Sequence, residues 1–154
     1  MRKKAVKHTT LPDPRFGDVQ VTKFVNNLMY DGKKSLSFEI FYDAIDLVSE
    51  KTGEDGLEVF RKAVNNVTPQ VEVRSRRVGG ANFQIPQPVR DERKRSLAVK
   101  WLISYSRNRN ERSMAQKLAN EIMAAAKEEG AAFKKKEEVH KMAEANKAFS
   151  HFRF

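Results

Sequence analysis

Between Gln70 and Ile85 the apolar residues change their period from three or four to two. Val71 and Val73 alternate with Glu72 and Arg74, Gly79-Gly80 follows, and a second short run, Asn82-Phe83-Gln84-Ile85, precedes Pro86 and Pro88. Pro69 stops the helical pattern before it, because proline lacks the amide proton and its ring clashes with the preceding turn. This predicts one β-hairpin at about residues 70–89, ended by Pro86 and Pro88, with the glycines supplying the positive φ of a tight turn. An isolated two-stranded ribbon is marginal in water, so the remainder must supply the core. Arg74, Arg76 and Arg77 make the arms too basic to bury, so the ribbon is expected to project and its tip to need a partner.

The remainder reads as helix. Val21, Phe24, Val25 and Leu28 predict a short first helix with Thr22 near its start and an end near Gly32. Phe38, Phe41, Ile45 and Val48 predict a second, whose other face carries Glu39, Asp43, Asp46 and Glu50 as a solvated stripe. Gly53 should end it. Asp55 and Glu58 form a capping-box pattern for a third helix with Phe60, Ala63, Val64 and Val67 inward. Asp91 is the expected N-cap of a fourth, with Leu97, Ala98, Trp101, Leu102 and Tyr105 as its inner face. After a basic loop from Ser106 to Arg112, Ser113 and Gln116 open a fifth helix that runs to Gly130, and a sixth spans about Ala132 to Phe149. Residues 1–18, with Pro12 and Pro14, read as an irregular basic N-terminal arm that turns at Pro14 to Gly17 and orders on a partner. The expectation is a mainly α, six-helix single domain over residues 19–154 with one protruding β-hairpin.

Thirty Lys and Arg against twenty Asp and Glu give a formal +10, which favours a polyanion: nucleic acid or an anionic membrane. No stretch approaches the roughly 20 consecutive apolar residues of a bilayer span, and the basic N-terminus lacks the apolar run of a signal peptide. A soluble, intracellular protein is expected, and the absence of cysteine suits a reducing compartment. The charge is also unevenly placed. Residues 1–35 hold eight basic and three acidic side chains, residues 36–68 three and seven, and residues 69–112 eleven and four. The cations gather in the arm (Arg2, Lys3, Lys4, Lys7), the first interhelical loop (Lys33, Lys34), the ribbon, the start of the fourth helix (Arg93, Lys94, Arg95) and the loop after it (Arg107, Arg109, Arg112). Arg93, Lys100 and Arg107 recur every seven residues and should form a row along that helix. Such a distribution predicts a localised binding face.

Catalysis finds no constellation. Gly32-Lys33-Lys34-Ser35 looks like the end of a phosphate-cradling loop, but Asn27 stands where that motif needs glycine. His8, His140 and His151 have no partners at metal-ligand spacing, and neither Ser75 nor Ser113 has an assignable general base. The reading is therefore no enzyme, no cofactor, no metal and no small-molecule substrate. The terminal His151-Phe152-Arg153-Phe154 mixes aromatics with arginine, as groups that stack on unpaired bases do. A histone-like DNA-binding protein would share the charge and the helices, and is the alternative.

The segment Arg76-Arg77-Val78-Gly79-Gly80-Ala81-Asn82-Phe83-Gln84-Ile85-Pro86 resembles the hairpin signature of bacterial ribosomal protein seven of the small subunit. Pro12-Asp13-Pro14-Arg15-Phe16-Gly17-Asp18, Asn27-Leu28-Met29-Tyr30-Asp31-Gly32-Lys33-Lys34-Ser35 and Lys141-Met142-Ala143-Glu144-Ala145-Asn146-Lys147-Ala148-Phe149-Ser150-His151-Phe152-Arg153 resemble the same family, in its order. The resemblance implies a structural constituent of the ribosome that binds the 3′ major domain of 16S ribosomal RNA first and nucleates assembly of the head of the small subunit. It implies a cytoplasmic place at the subunit interface, near the decoding region, the exit-site tRNA and the messenger path, with contacts to ribosomal proteins nine and eleven. By matching motif, Lys33, Lys34, Arg74, Arg76 and Arg77 would meet ribosomal RNA, and Gly79 and Gly80 would allow close backbone approach. The ribbon tip, Arg77, Val78, Gly79, Gly80, Ala81 and Asn82, would face tRNA. The arm cations Arg2, Lys3, Lys4 and Lys7, with Arg93, Lys94, Arg95, Arg107, Arg109 and Arg112, complete the expected RNA-binding set.

Overall fold

Three phenylalanines from three successive helices meet at the centre of the computed structural model, which describes residues 8–152. α1 (Val19–Leu28) begins at Asp18, whose carboxylate accepts from the Gln20 amide, so Asp18 rather than the neighbourhood of Thr22 starts the helix. α2 (Lys34–Thr52) ends at Gly53 in the left-handed conformation, as its spacing predicts. α3 (Gly56–Val67) begins at Asp55, which accepts from the Leu57 amide, while Glu58 turns to Arg61 instead of closing the expected box. Phe24, Phe41 and Phe60 then pack with ring centroids 5.4, 5.2 and 5.1 Å apart, two of the three contacts edge to face. α2 and α3 approach closely because residue 56 is glycine: a Cβ there would lie 2.4 Å from the Ile45 carbonyl oxygen.

The ribbon has the extent that its sequence suggests. β1 (Val71–Val78) pairs antiparallel with β2 (Ala81–Pro88), from Val78 opposite Ala81 to Val71 opposite Pro88, so Pro88 ends the second strand as expected while Pro86 lies within it. Parity explains this. The Val89 amide donates to the Gln70 carbonyl, so residues 87 and 85, two and four back, also face β1, while the positions held by the prolines point away and lose no ladder bond. Gly79 and Gly80 make the two-residue turn at φ 58° and 89°.

α4 (Asp91–Arg107) is capped by the backbone of Arg90, one residue before the expected Asp91. Its most buried face is Ala98, Val99, Leu102, Ile103 and Ser106, rotated from the predicted one; Leu97, Trp101 and Tyr105 are half-buried. α5 (Met114–Ala126) starts at Ser113, which accepts from the Gln116 amide as expected, and ends short of Gly130. Its small residues Ala119 and Ala125 are fully buried and let α2, α3 and α4 pack around it. α6 (Gly130–Ala145) also stops before its predicted end. The Asn146 side chain takes the Met142 carbonyl, and the chain turns into a 3-10 helix, Lys147–Phe152. That turn brings Phe149 against Phe83 of β2, centroids 5.1 Å apart, and Ile85 is fully buried. β2 is thus clamped to the body from Ile85 out to Phe83, two residues from the turn, a support independent of any partner.

Candidate nucleic-acid interface

The N-terminal turn is built around one carboxylate. Asp13 is buried and accepts from the amides of Arg15, Phe16 and Asp18 and from the Tyr42 hydroxyl. Burial opposes its ionisation, but those donors outweigh it and hold the carboxyl below its ordinary value. Arg15 then reaches α2 and grips Asp46 through two bonds of 3.0 and 2.6 Å. The acidic stripe is therefore partly a docking point for this turn. Arg2, Lys3, Lys4, Lys7 and Arg153 lie outside the described residues.

The other expected cations fall into three settings. On the ribbon, Arg74, Arg76 and Arg77 are exposed. Register places Arg74 and Arg76 opposite Ile85 and Phe83, on the face turned to the body, and Arg77 opposite Asn82 on the other face. Glu72, at the root, accepts from Arg74 at 3.1 Å and from Arg93 of α4 at 2.7 Å, which ties the ribbon to the start of that helix. The Gln70 amide donates to His140 Nε2, a second tie, and burial together with Lys136 holds that imidazole below its usual pKa. His140 was not legible as a structural residue, because its partner is a backbone amide seventy positions away.

Along α4 the cations border a cleft against α1. Arg95 shares it with Gln20, Lys23, Asn26 and Asn27 and with the acids Asp91 and Glu92, over a floor of Phe60, Val64 and Val99 and a cavity of about 490 Å³. Lys94 pairs with Asp91 at 3.2 Å. Further along, Lys100, Ser104, Arg107 and Asn108 face Asn27 and Tyr30 around a second cavity of about 300 Å³. The Arg107 guanidinium lies 3.9 Å from the Tyr30 ring centroid and donates to the Leu28 carbonyl at 2.9 Å. The Lys33 amide donates to the Tyr30 carbonyl, so exposed Lys33 and Lys34 stand beside that mouth. The row Arg93, Lys100, Arg107 therefore runs about 20 Å along one helix, from the ribbon root to the first loop, at about 1.5 Å per residue.

The third setting faces inward. Arg109 donates to Glu111 at 2.9 Å and to Glu121 at 2.7 Å, and Glu121 is fully buried with its other oxygen on the Ala132 amide. Bonds from Asn120 and Arg109 lower Glu111 to about 2. Arg112, in the same loop, stays exposed. Sequence reasoning missed Tyr30, Asn27, Asn26, Lys23 and Asn108 as residues lining these cavities; the repeated Asn-Asn shortly before Tyr30 was the available signal.

Among the described residues, no group of three or more His, Asp or Glu could hold a metal, and no helix is long and apolar enough to cross a membrane. Fold and surface together define a small α-helical protein with a polar α1–α4 cleft of mixed charge and an arginine-bearing ribbon. The model of the family described as ribosomal protein S7p/S5e matches residues 1–147, and the chain belongs to that family. It is 65% identical to the small ribosomal subunit protein uS7 of Cytophaga hutchinsonii and 65% identical to that of Flavobacterium johnsoniae, over 100% of both chains in each case. The protein of that name from Marinobacter nauticus is 56% identical over 99% of this chain and 98% of its own.

Proposed function

We propose that this chain, a ribosomal protein by family, binds 16S ribosomal RNA directly as a constituent of the small subunit, cytoplasmic in bacteria, and helps organise the head of that subunit. The reading rests on one observation: exposed cations run from Lys33 and Lys34 past Lys100 and Arg95 to Arg77 on the ribbon, with amides and an exposed tyrosine interleaved. Structured RNA is held by its phosphates, 2′-hydroxyls and splayed bases, and this surface has a group for each. The exposed ribbon tip, Arg77 to Asn82, is placed to meet tRNA or messenger, and the arm to add attraction from Arg2, Lys3, Lys4 and Lys7. Proteins nine and eleven of the small subunit are its proposed protein neighbours. Its role is recognition and scaffolding.

Filter binding of the 3′ major domain transcript across a salt series tests this. Affinity should fall linearly in log-log form as salt rises, since each neutralised phosphate releases counterions. Duplex DNA should compete weakly. Equal competition by duplex DNA would favour the histone-like alternative, and no retention of transcript at low salt would end the proposal.

A further inference from the structure

We infer that the cavity between the end of α1 and the C-terminal half of α4 receives a single unpaired base of the bound RNA, a subsite that rests on the RNA-binding reading above. Its volume, about 300 Å³, lies at the small end of the range for ligand pockets. The floor is Ile103, 4% exposed, and the walls are polar: Asn27, Ser104 and Asn108, with Lys100 at the rim. Asn27 uses its NH₂ group on the Lys23 carbonyl, which leaves Oδ1 as an acceptor. Asn108 makes no side-chain hydrogen bond within the described residues, so its amide offers a donor and an acceptor. Donors and acceptors gathered around one cavity are what the edge of a base requires.

Tyr30 supplies the platform. An exposed tyrosine would ordinarily turn freely, yet this one, 64% exposed, is held from one side by Arg107 at 3.9 Å. Arg107 is itself fixed by the Leu28 carbonyl at the end of α1. A ring so braced loses little rotational freedom when a base stacks on it. The same guanidinium keeps positive charge at the mouth, where the sugar-phosphate of an extruded nucleotide must pass. Arg107 is therefore a positioning residue for the platform more than a phosphate clamp.

The test compares wild type with Tyr30→Leu, Tyr30→Phe and Asn108→Ala on the 3′ major domain transcript, with base-reactive chemical probing at nucleotide resolution and a melting curve for each protein. Wild type and Tyr30→Phe should protect the base edge of one nucleotide that becomes reactive with Tyr30→Leu. Affinity for Tyr30→Leu should fall about tenfold, within the range expected for loss of one stacked base, with the slope against salt unchanged because no phosphate contact is removed. Asn108→Ala should expose the same nucleotide with an unaltered melting curve. Tight, salt-dependent binding by Tyr30→Leu and Asn108→Ala with wild-type protection everywhere would overturn the subsite and leave the RNA reading standing. Failure of wild type to bind the transcript would remove both.

Discussion

The ribbon and the turn between α4 and α5 are both rich in arginine and use it in opposite ways. On the ribbon the sole carboxylate is Glu72 at the root, and Arg74, Arg76 and Arg77 are exposed beyond it. At the end of α4 Arg107 folds over Tyr30, and in the turn that follows Arg109 is drawn in by Glu111 and Glu121. One residue type reaches outward at Arg77 in the first region and is an internal strut at Arg109 in the second. For Arg109 the difference is set by the carboxylates that the fold brings within reach, a property that charge counting along the chain does not contain. Arg109 is thus less suited to the RNA face than its density of charged neighbours implies, while Arg112 in the same loop remains available.

The largest test of this contrast is Arg109→Met, which leaves the fully buried Glu121 without its counter-charge. Uncompensated burial of that kind costs about 3–5 kcal/mol, and the melting temperature should fall by on the order of 10 °C. A melt within a degree or two of wild type would put Arg109 back among the outward-facing cations. The counterpart on the ribbon is Arg76→Gln with Arg77→Gln. Calorimetry should show an unchanged melt, while transcript binding weakens by about 2–3 kcal/mol and loses roughly 1.5 from its salt slope. A matching loss of stability would mean that the ribbon, too, is braced from within.

Acid separates the two regions by a smaller margin. Arginines stay charged throughout the accessible range, but Asp13 and Glu111 have folded pKa values below their ordinary ones, Glu111 at about 2. A depressed carboxyl pKa stabilises the fold above the unfolded value, and that contribution disappears as pH falls through the folded value. Denaturant midpoints should therefore begin to slip below about pH 6.5, where His140 takes up a proton in the unfolded chain before it does in the folded one, and decline further between roughly 4.5 and 2, the window of the carboxyls. Glu111→Gln should shallow that decline, and an identical profile in the variant would remove Glu111 from the account.

Local signals were enough for most of the fold. Caps at Asp55 and Ser113, the left-handed Gly53 and the change of period at Val71 each depend on neighbours within a few residues. What escaped depends on distant partners. Ala98, Val99, Leu102 and Ile103 overlap the predicted stripe on α4 at two positions, and only packing against α1, α3, α5 and α6 chooses between the two faces. Asn146 ends α6 without the glycine or proline that usually announces a stop. At the interface, the cations were legible as a set, but their division into Arg77 outside and Arg109 inside required Glu121, which lies on the next helix.

The finest test concerns Glu72, the one acid of the ribbon. Its carboxylate is 13% exposed and shared between Arg74 and Arg93, so it partly neutralises the ribbon root where RNA would approach. Glu72→Gln keeps the shape and one acceptor but removes the charge. Partly exposed ion pairs contribute at most about 1 kcal/mol, so the melt should barely move. If the ribbon cations act directly on RNA, releasing two of them should tighten transcript binding about two- to threefold and steepen its salt dependence, since more charge meets phosphate. If binding weakens instead, Glu72 is holding Arg74 and Arg93 in the orientation that RNA needs. The ribbon root would then be a strut like Arg109, and the boundary between the two uses of arginine would move outward to Arg76 and Arg77.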